Sequence, residues 1–336
     1  MFLANDYSLL KHNTFGIDVM TKTFIEYCSE DELCSCLSSL LPQKKLHIGQ
    51  GSNLLFTRNF EGVVLHSAIC TIDMPRETED TTQVLLRVGG GVVFDDLINY
   101  AIDHELYGLE NLSYIPGEVG ASAVQNVGAY GVEAKDVIER VEAIDLQTGQ
   151  KREFSNTECQ YAYRQSIFKK ELRGRYAITY VTFRLSRVFR PSLEYGGLKS
   201  HVSDIEKLTA RQLRNIIISM RQSKLPEPSE MGSAGSFFIN PVISSHQFEQ
   251  LQQLYPDIPH YPMGNDTVKV PAGWLIEQCG WKGRSYGHAG VYAKQALVLV
   301  NLGGATGQEV LELAHEVCKS VQEKFAIKIS PEVNVF

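Results

Sequence analysis

The chain has 336 residues, 43% hydrophobic and 21% charged, the makeup of an ordinary soluble protein with room for two or three domains. A formal charge of -7 and a pI near 5.8 give no footprint for wrapping nucleic acid, and no run of about 18 apolar residues or basic, apolar leader points to a membrane or to export. Seven cysteines without a Cys-x-x-Cys pair and nine histidines without metal-ligand spacing exclude a disulfide framework and a metal site, and suggest free thiols in the cytoplasm.

In chain order, short apolar runs at Thr23 to Tyr27, Leu46 to Ile48 and Val63 to Leu65 read as strands, with a helix from Asp31 to Leu41 among them. Ile48-Gly49-Gln50-Gly51-Ser52-Asn53 then places bare backbone N–H groups after a strand, where they can curl around an anion such as a pyrophosphate or form a plain turn. The strand Val84 to Val88 runs into a triple glycine, Gly89 to Gly91, and a helix whose Phe94, Leu97, Ile98, Ala101 and Ile102 recur at three- and four-residue spacing. A Rossmann fingerprint starting at Gly89 would need glycine where Phe94 stands, so a tight strand-helix turn explains these glycines.

From Ile115 to Gly131, four glycines and three alanines fill 17 positions. Each glycine costs an ordinary helix about 1 kcal/mol, so close backbone approach to something large and flat explains the segment better. Gln125 and Asn126 can offer amides to a polar ring edge. Strands follow at Val137 to Ile144, Lys151 to Phe154 and Tyr176 to Leu185, then a helical stretch from Asp204 to Lys224 that two prolines, Pro226 and Pro228, terminate. Helices at Ser244 to Leu254 and Ala272 to Cys279, a strand at Ala296 to Asn301, and a helix facing inward through Val310, Leu313, Ala314, Val317, Val321 and Phe325 complete an α+β pattern.

The Gly49 to Asn53 loop, followed about 65 residues later by Pro-Gly-x-x-Gly-Ala at Pro116 to Ala121 and by Gln125-Asn126-x-Gly128, resembles the FAD-binding half of the enolpyruvoylglucosamine reductases, within the broader vanillyl-alcohol-oxidase class. Three later segments resemble the same family: Tyr163-Arg164-Gln165-Ser166-Ile167-Phe168, Ala234-Gly235-Ser236-Phe237-Phe238-Ile239-Asn240-Pro241, and Pro331-Glu332-Val333.

The resemblance implies an α+β, two-subdomain FAD-binding fold over residues 1–67 and 68–218, a substrate domain over 219–325, and a terminal segment, 326–336, returning to the site. It implies non-covalent FAD held by Gly49, Gln50, Gly51, Ser52, Asn53, Pro116, Gly117, Gly120, Ala121, Gln125, Asn126 and Gly128. NADPH is the implied hydride donor, the substrate is an enolpyruvyl sugar nucleotide, and the protein is expected to be a monomer.

By the same resemblance Arg164, Ser236 and Glu332 are catalytic, while Tyr195, Arg221, Lys224, Asn240 and Gln295 position the substrate. An enol ether conjugated to a carboxylate accepts hydride only if charge arriving at that carboxylate is stabilised, which suits an arginine fork and a glutamic acid kept protonated by burial. Serine is a weak acid and donates a proton only to a strongly basic carbon held close; Phe237 and Phe238 are expected to keep water from its hydroxyl. Ile239 and Asn334 stand where the resemblance allows lysine and arginine, so affinity for the anionic substrate is expected to be distributed differently here. Two other readings carry the same cleft: an FAD oxidase or dehydrogenase of a sugar or hydroxy acid, and a non-catalytic flavin or sugar-nucleotide binder.

Overall fold

The structure, a computed structural model, describes every residue except Leu41, Pro42, Gly196 and Pro228. Its α-helices are α1 (Glu30–Leu40), α2 (Phe94–Asp103), α3 (Val119–Gln125), α4 (Ala210–Lys224), α5 (Ser245–Leu254), α6 (Ala272–Gln278) and α7 (Gly307–Phe325). The chain forms two compact units: Met1–Tyr7, Thr21–Gln50 and Glu61–Arg221 make the first, and Ser8–Met20, Gly51–Phe60 and Gln222–Phe336 the second.

The first unit is built on two sheets. One has the strand order Phe2–Ser8, Met20–Tyr27, Phe60–Ser67, Lys45–Ile48, its last two strands parallel. The amphipathic α1 lays Leu33, Leu37 and Leu40 against Ile25, Val63 and Leu65 of this sheet. Strand Phe2–Ser8 has no counterpart in the sequence reading because it buries no residue fully and lacks the alternation that marks a half-buried strand.

The other sheet is antiparallel, in the order Lys151–Ser155, Ile138–Asp145, Tyr176–Ser186, Gln83–Gly89, Arg76–Glu77. Helices α2 and α3 close it: Phe94, Leu97, Ile98 and Ala101 bury as their spacing predicts, joining Leu86, Val88, Val181 and Phe183. Each large side chain removed from water there contributes roughly 1.5–3 kcal/mol.

Two sequence expectations change. The glycine- and alanine-rich segment does form a helix, α3, and its small residues serve the chain's own packing. A Cβ on Gly120 would lie 3.2 Å from the Gly90 carbonyl oxygen, and the Gly120 N–H donates to that oxygen at 2.9 Å. The triple glycine is needed for the same reason, since a Cβ on Gly89 or Gly91 would fall within 2.1 or 2.2 Å of the carbonyl oxygen of Ile69 or Ser67. Helix α4 begins at Ala210, not near Asp204, because Thr209 and Gln212 cap it reciprocally: Thr209 Oγ1 accepts from the Gln212 N–H at 3.2 Å, and Gln212 Oε1 accepts from the Thr209 N–H at 2.9 Å.

In the second unit the strands Gly232–Ser236, Val298–Asn301, Ala289–Val291 and Ser285–Tyr286 form an antiparallel sheet, and Val242–Ser244, Thr267–Lys269 and Tyr261–Gly264 a smaller one. Helix α7 buries Val310, Leu313, Ala314, Val317, Val321 and Phe325, the stripe read from the sequence, after a capping box between Thr306 and Glu309. The last strand, Asn334–Val335, pairs in parallel with Leu54–Leu55. Among the described residues no helix is long and apolar enough to cross a membrane.

Candidate active site

The two glycine loops expected to hold FAD meet in the first unit. Gln50 Oε1 accepts from the Gly117 N–H at 3.2 Å, and a Cβ on Gly49 would stand 2.9 Å from Glu118 Oε2. Gly117 adopts φ +120°, a conformation a side chain would strain. The loop crosses the boundary of the units after Gln50. In the second unit, Gly51 fits so closely that a Cβ would lie 2.0 Å from the His12 carbonyl oxygen, and the Asn53 carbonyl accepts from the N–H and side-chain Nδ2 of Asn334, both at 3.2 Å. Asn334 therefore anchors the last segment to the Asn53 loop.

Helix α3 turns Val119, Gly120, Ser122 and Ala123 inward and leaves Ala121, Val124 and Gln125 partly open. Its open side thus offers little beyond short side chains and one amide. Asn126 ends the helix at φ +47°, and its side chain is held within the chain: Nδ2 donates to the Ala162 carbonyl at 2.9 Å, and Oδ1 accepts from the Lys135 N–H at 3.0 Å. A flat, small-residue surface beside two glycine loops fits FAD. Gly49, Gln50, Pro116, Gly117, Gly120, Ala121, Gln125 and Gly128 are the first unit's candidates to hold it.

Arg164 stands beside that surface with φ +53°, rare for a side-chain-bearing residue. Its Nη2 donates to the Gly128 carbonyl at 2.7 Å. Lys169, which the sequence reading passed over, donates from Nζ to the Arg164 carbonyl at 3.0 Å and to Gln125 Oε1 at 2.8 Å. The only hint of it in the sequence was its place directly after Phe168, at the end of the matching segment.

Arg221 Nε donates to the Tyr114 carbonyl at 3.1 Å. Burial lowers its pKa, against the opposing influence of Tyr130, and the Arg164 charge pulls the same way as burial. Two guanidiniums that raise each other's energy form a place where an anion relieves repulsion on arrival. Tyr195 stands close to this group, its Cβ 3.0 Å from a Cβ built on Gly131; Gly196, next in its loop, lies outside the described residues. Lys224 is the exposed last residue of α4.

In the second unit, Ser236 and Glu332 come from adjacent backbone segments. The Glu332 N–H donates to the Phe237 carbonyl at 2.8 Å, and the Ile239 N–H donates to the Ser330 carbonyl at 3.0 Å. A bulge between Ser233 and Ser236, with Gly235 at φ +66°, turns the strand just before the serine. The dry setting expected for that hydroxyl is corrected here: Ser236 is exposed, while Phe237 and Phe238 are 0% and 1% exposed and belong to the core, Phe237 edge-on to Phe15 at 6.2 Å. Asn240 Oδ1 accepts from the Ala272 N–H at 2.9 Å and so caps α6. Gln295 Oε1 would lie 3.1 Å from a Cβ on Gly273, which places Gln295 over the same helix start.

Fold and site together define a flavin-binding oxidoreductase class, and residues 25–155 match the model of an FAD binding domain. Residues 227–336 match the model of the UDP-N-acetylenolpyruvoylglucosamine reductase C-terminal domain. Proteins named UDP-N-acetylenolpyruvoylglucosamine reductase are 51% identical in Bacteroides fragilis strain YCH46 and 49% identical in Porphyromonas gingivalis strain ATCC 33277, over 99% of this chain and 99% of each relative. The Flavobacterium johnsoniae protein of that name is 42% identical over the whole of both chains. The crystal structure of UDP-N-acetylenolpyruvylglucosamine reductase from Thermus caldophilus shares the fold, with a TM-score of 0.69 at 23% identity over 100% of this chain and 98% of that one. The chain belongs to the UDP-N-acetylenolpyruvoylglucosamine reductase family.

Proposed function

We propose that the protein reduces UDP-N-acetylenolpyruvoylglucosamine to UDP-N-acetylmuramate, a step in building peptidoglycan precursors, with FAD bound and NADPH as hydride donor. The observation that carries this is the backbone pairing that delivers Ser236 and Glu332 side by side in a chain 51% identical, end to end, to a relative of that name. Bound FAD supplies the hydride that goes to C3 of the enolpyruvyl group.

The chain's residues do the rest. Arg164 holds the substrate carboxylate and, with Glu332 as a hydrogen-bond donor, stabilises the charge that accumulates there in the transition state. Ser236 Oγ delivers a proton to C2, so one hydride and one proton together saturate the double bond. Arg221 and Lys224 take the anionic groups of the sugar nucleotide, and Tyr195, Asn240 and Gln295 orient it. Functionally we divide the chain into 1–67, 68–218 and 219–325, with 326–336 carrying Glu332 to the site. We place the protein in the cytoplasm as a monomer without nucleic-acid partners, in keeping with seven free cysteines and its acidic charge.

Purified protein should be yellow and should oxidise NADPH steadily only when enolpyruvyl-UDP-N-acetylglucosamine is added. Steady NADPH oxidation that depends on oxygen alone would overturn the assignment in favour of an oxidase.

A further inference from the structure

Glu118 is an odd residue to find in an anion loop. It sits within Pro116 to Gly120, the turn assigned above to FAD, whose diphosphate is anionic, and it is only 5% exposed. Its Oε2 fills the space a side chain on Gly49 would need, 2.9 Å from the position of such a Cβ, so the carboxylate stands at the junction of the two glycine loops. A charge so placed would repel a diphosphate unless something cancelled it.

His66 is placed to cancel it. Its Nε2 lies 2.9 Å from Glu118 Oε1, and its Nδ1 lies 2.8 Å from Glu26 Oε2. With a carboxyl at each ring nitrogen, one proton on the His66–Glu118 contact keeps both hydrogen bonds: burial raises the Glu118 pKa, His66 opposes that rise, and a ring that has lost the proton turns a lone pair on an ionised carboxylate. Burial works to lower the His66 pKa, but the hydrogen bonds and charges of Glu118 and Glu26 outweigh it and leave the pKa raised.

His47, on the neighbouring parallel strand, is pushed down to about 3 by burial and by the His66 charge, so it stays neutral, with its Nε2 2.7 Å from the Tyr27 hydroxyl. Phe24 stacks on the His66 ring at 6.3 Å. Cys70 faces the two carboxylates as a thiol whose pKa burial and their charges raise.

We propose that His66 is a positioning residue for the cofactor: its proton neutralises Glu118 inside the FAD loop, and FAD affinity therefore falls as the pH rises and that proton leaves. The inference rests on the assignment of the Pro116 to Gly120 loop to FAD. Nothing else in the reaction needs it.

The test measures FAD released from the full-chain holoenzyme on dilution, read at equilibrium by flavin fluorescence between about pH 6 and pH 9. The wild-type dissociation constant should rise about tenfold in all across that range and level off at both ends, as a single linked proton requires. His66→Gln should bind FAD about tenfold more weakly at pH 6, with no further pH dependence. Glu118→Gln, which removes the offending charge, should bind as tightly as wild type at pH 6 and hold that affinity to pH 9. Combined with His66→Gln, it should restore what the single change lost. A wild-type slope that persists in Glu118→Gln overturns the proposal, and so does a His66→Gln deficit that Glu118→Gln fails to relieve. Glu118→Gln alone decides the matter if His66→Gln does not fold. A chain that binds no FAD at any pH defeats the flavin assignment itself, whereas flavin bound with one pH-independent affinity in all variants defeats only this inference.

Discussion

At Arg164 the backbone is held at φ +53°, which costs a residue with a Cβ of order 1 kcal/mol, and the Lys169 ammonium on its carbonyl offsets that cost. Lys169→Met should lower kcat/KM about tenfold or more, well beyond any loss of FAD through its bond to Gln125, with Lys169→Arg partly restoring it. A loss of FAD in proportion to activity would instead make Lys169 a merely structural support. For Ser236 the half-reactions separate the roles. Ser236→Ala should still let NADPH bleach the flavin at the wild-type rate, while reoxidation by substrate, followed by stopped-flow absorbance, slows roughly a hundredfold or more. Unchanged reoxidation removes the serine from the mechanism.

Among elements, the strand that ends in Ser236 depends on one glycine. A Cβ on Gly235 meets nothing within 4 Å, so the cost of Gly235→Ala is backbone strain alone, about 1–2 kcal/mol, readable as a lower unfolding midpoint in urea. If the alanine variant relaxes towards ordinary strand geometry, Ser236 is re-aimed and activity falls further than stability does. Helix α5 gives a simpler case: Ser244 Oγ accepts from the Gln247 N–H at 3.2 Å, and Ser244→Ala should cost about 1 kcal/mol. The same physics limited the sequence reading. Amphipathic helices such as α2 and α7 were legible because their buried positions repeat along the chain. The short α3 was not, because its glycines lower helix propensity, and Gly120 serves a close approach to Gly90 that no local pattern records.

For the whole molecule, acid stability turns on ion pairs that join distant segments. Arg214 grips Asp95 with two hydrogen bonds of 2.6 and 2.8 Å, tying α4 to α2. Burial opposes ionisation of Asp95, but Arg214 and the Tyr114 N–H outweigh it and hold the carboxyl below its usual range. A depressed carboxyl contributes stability that is complete above its unfolded pKa, about 4, and lost as the pH falls through the lower folded value. Asp95→Asn should therefore cost about 3 kcal/mol near neutral pH, and the loss should shrink as the urea midpoint of the wild type falls in acid. An Asp95→Asn deficit that stays constant down to about pH 2 would contradict this.

The amino-acid order by itself determined the main helices, most strands, the flavin loops and the family motifs, because hydrophobic period, capping residues and glycine-rich turns act over a few neighbouring residues. Only the tertiary structure decided that Gln50 reaches Gly117, that Lys169 holds Arg164, that Asn126 bonds the Ala162 carbonyl, that Asn240 Oδ1 caps α6, and that His66 lies between two carboxylates. Each of these joins residues far apart in the chain or hidden inside a shared motif, through hydrogen bonds whose partners are chosen by packing. A linear pattern carries no trace of such a choice until the chain has folded.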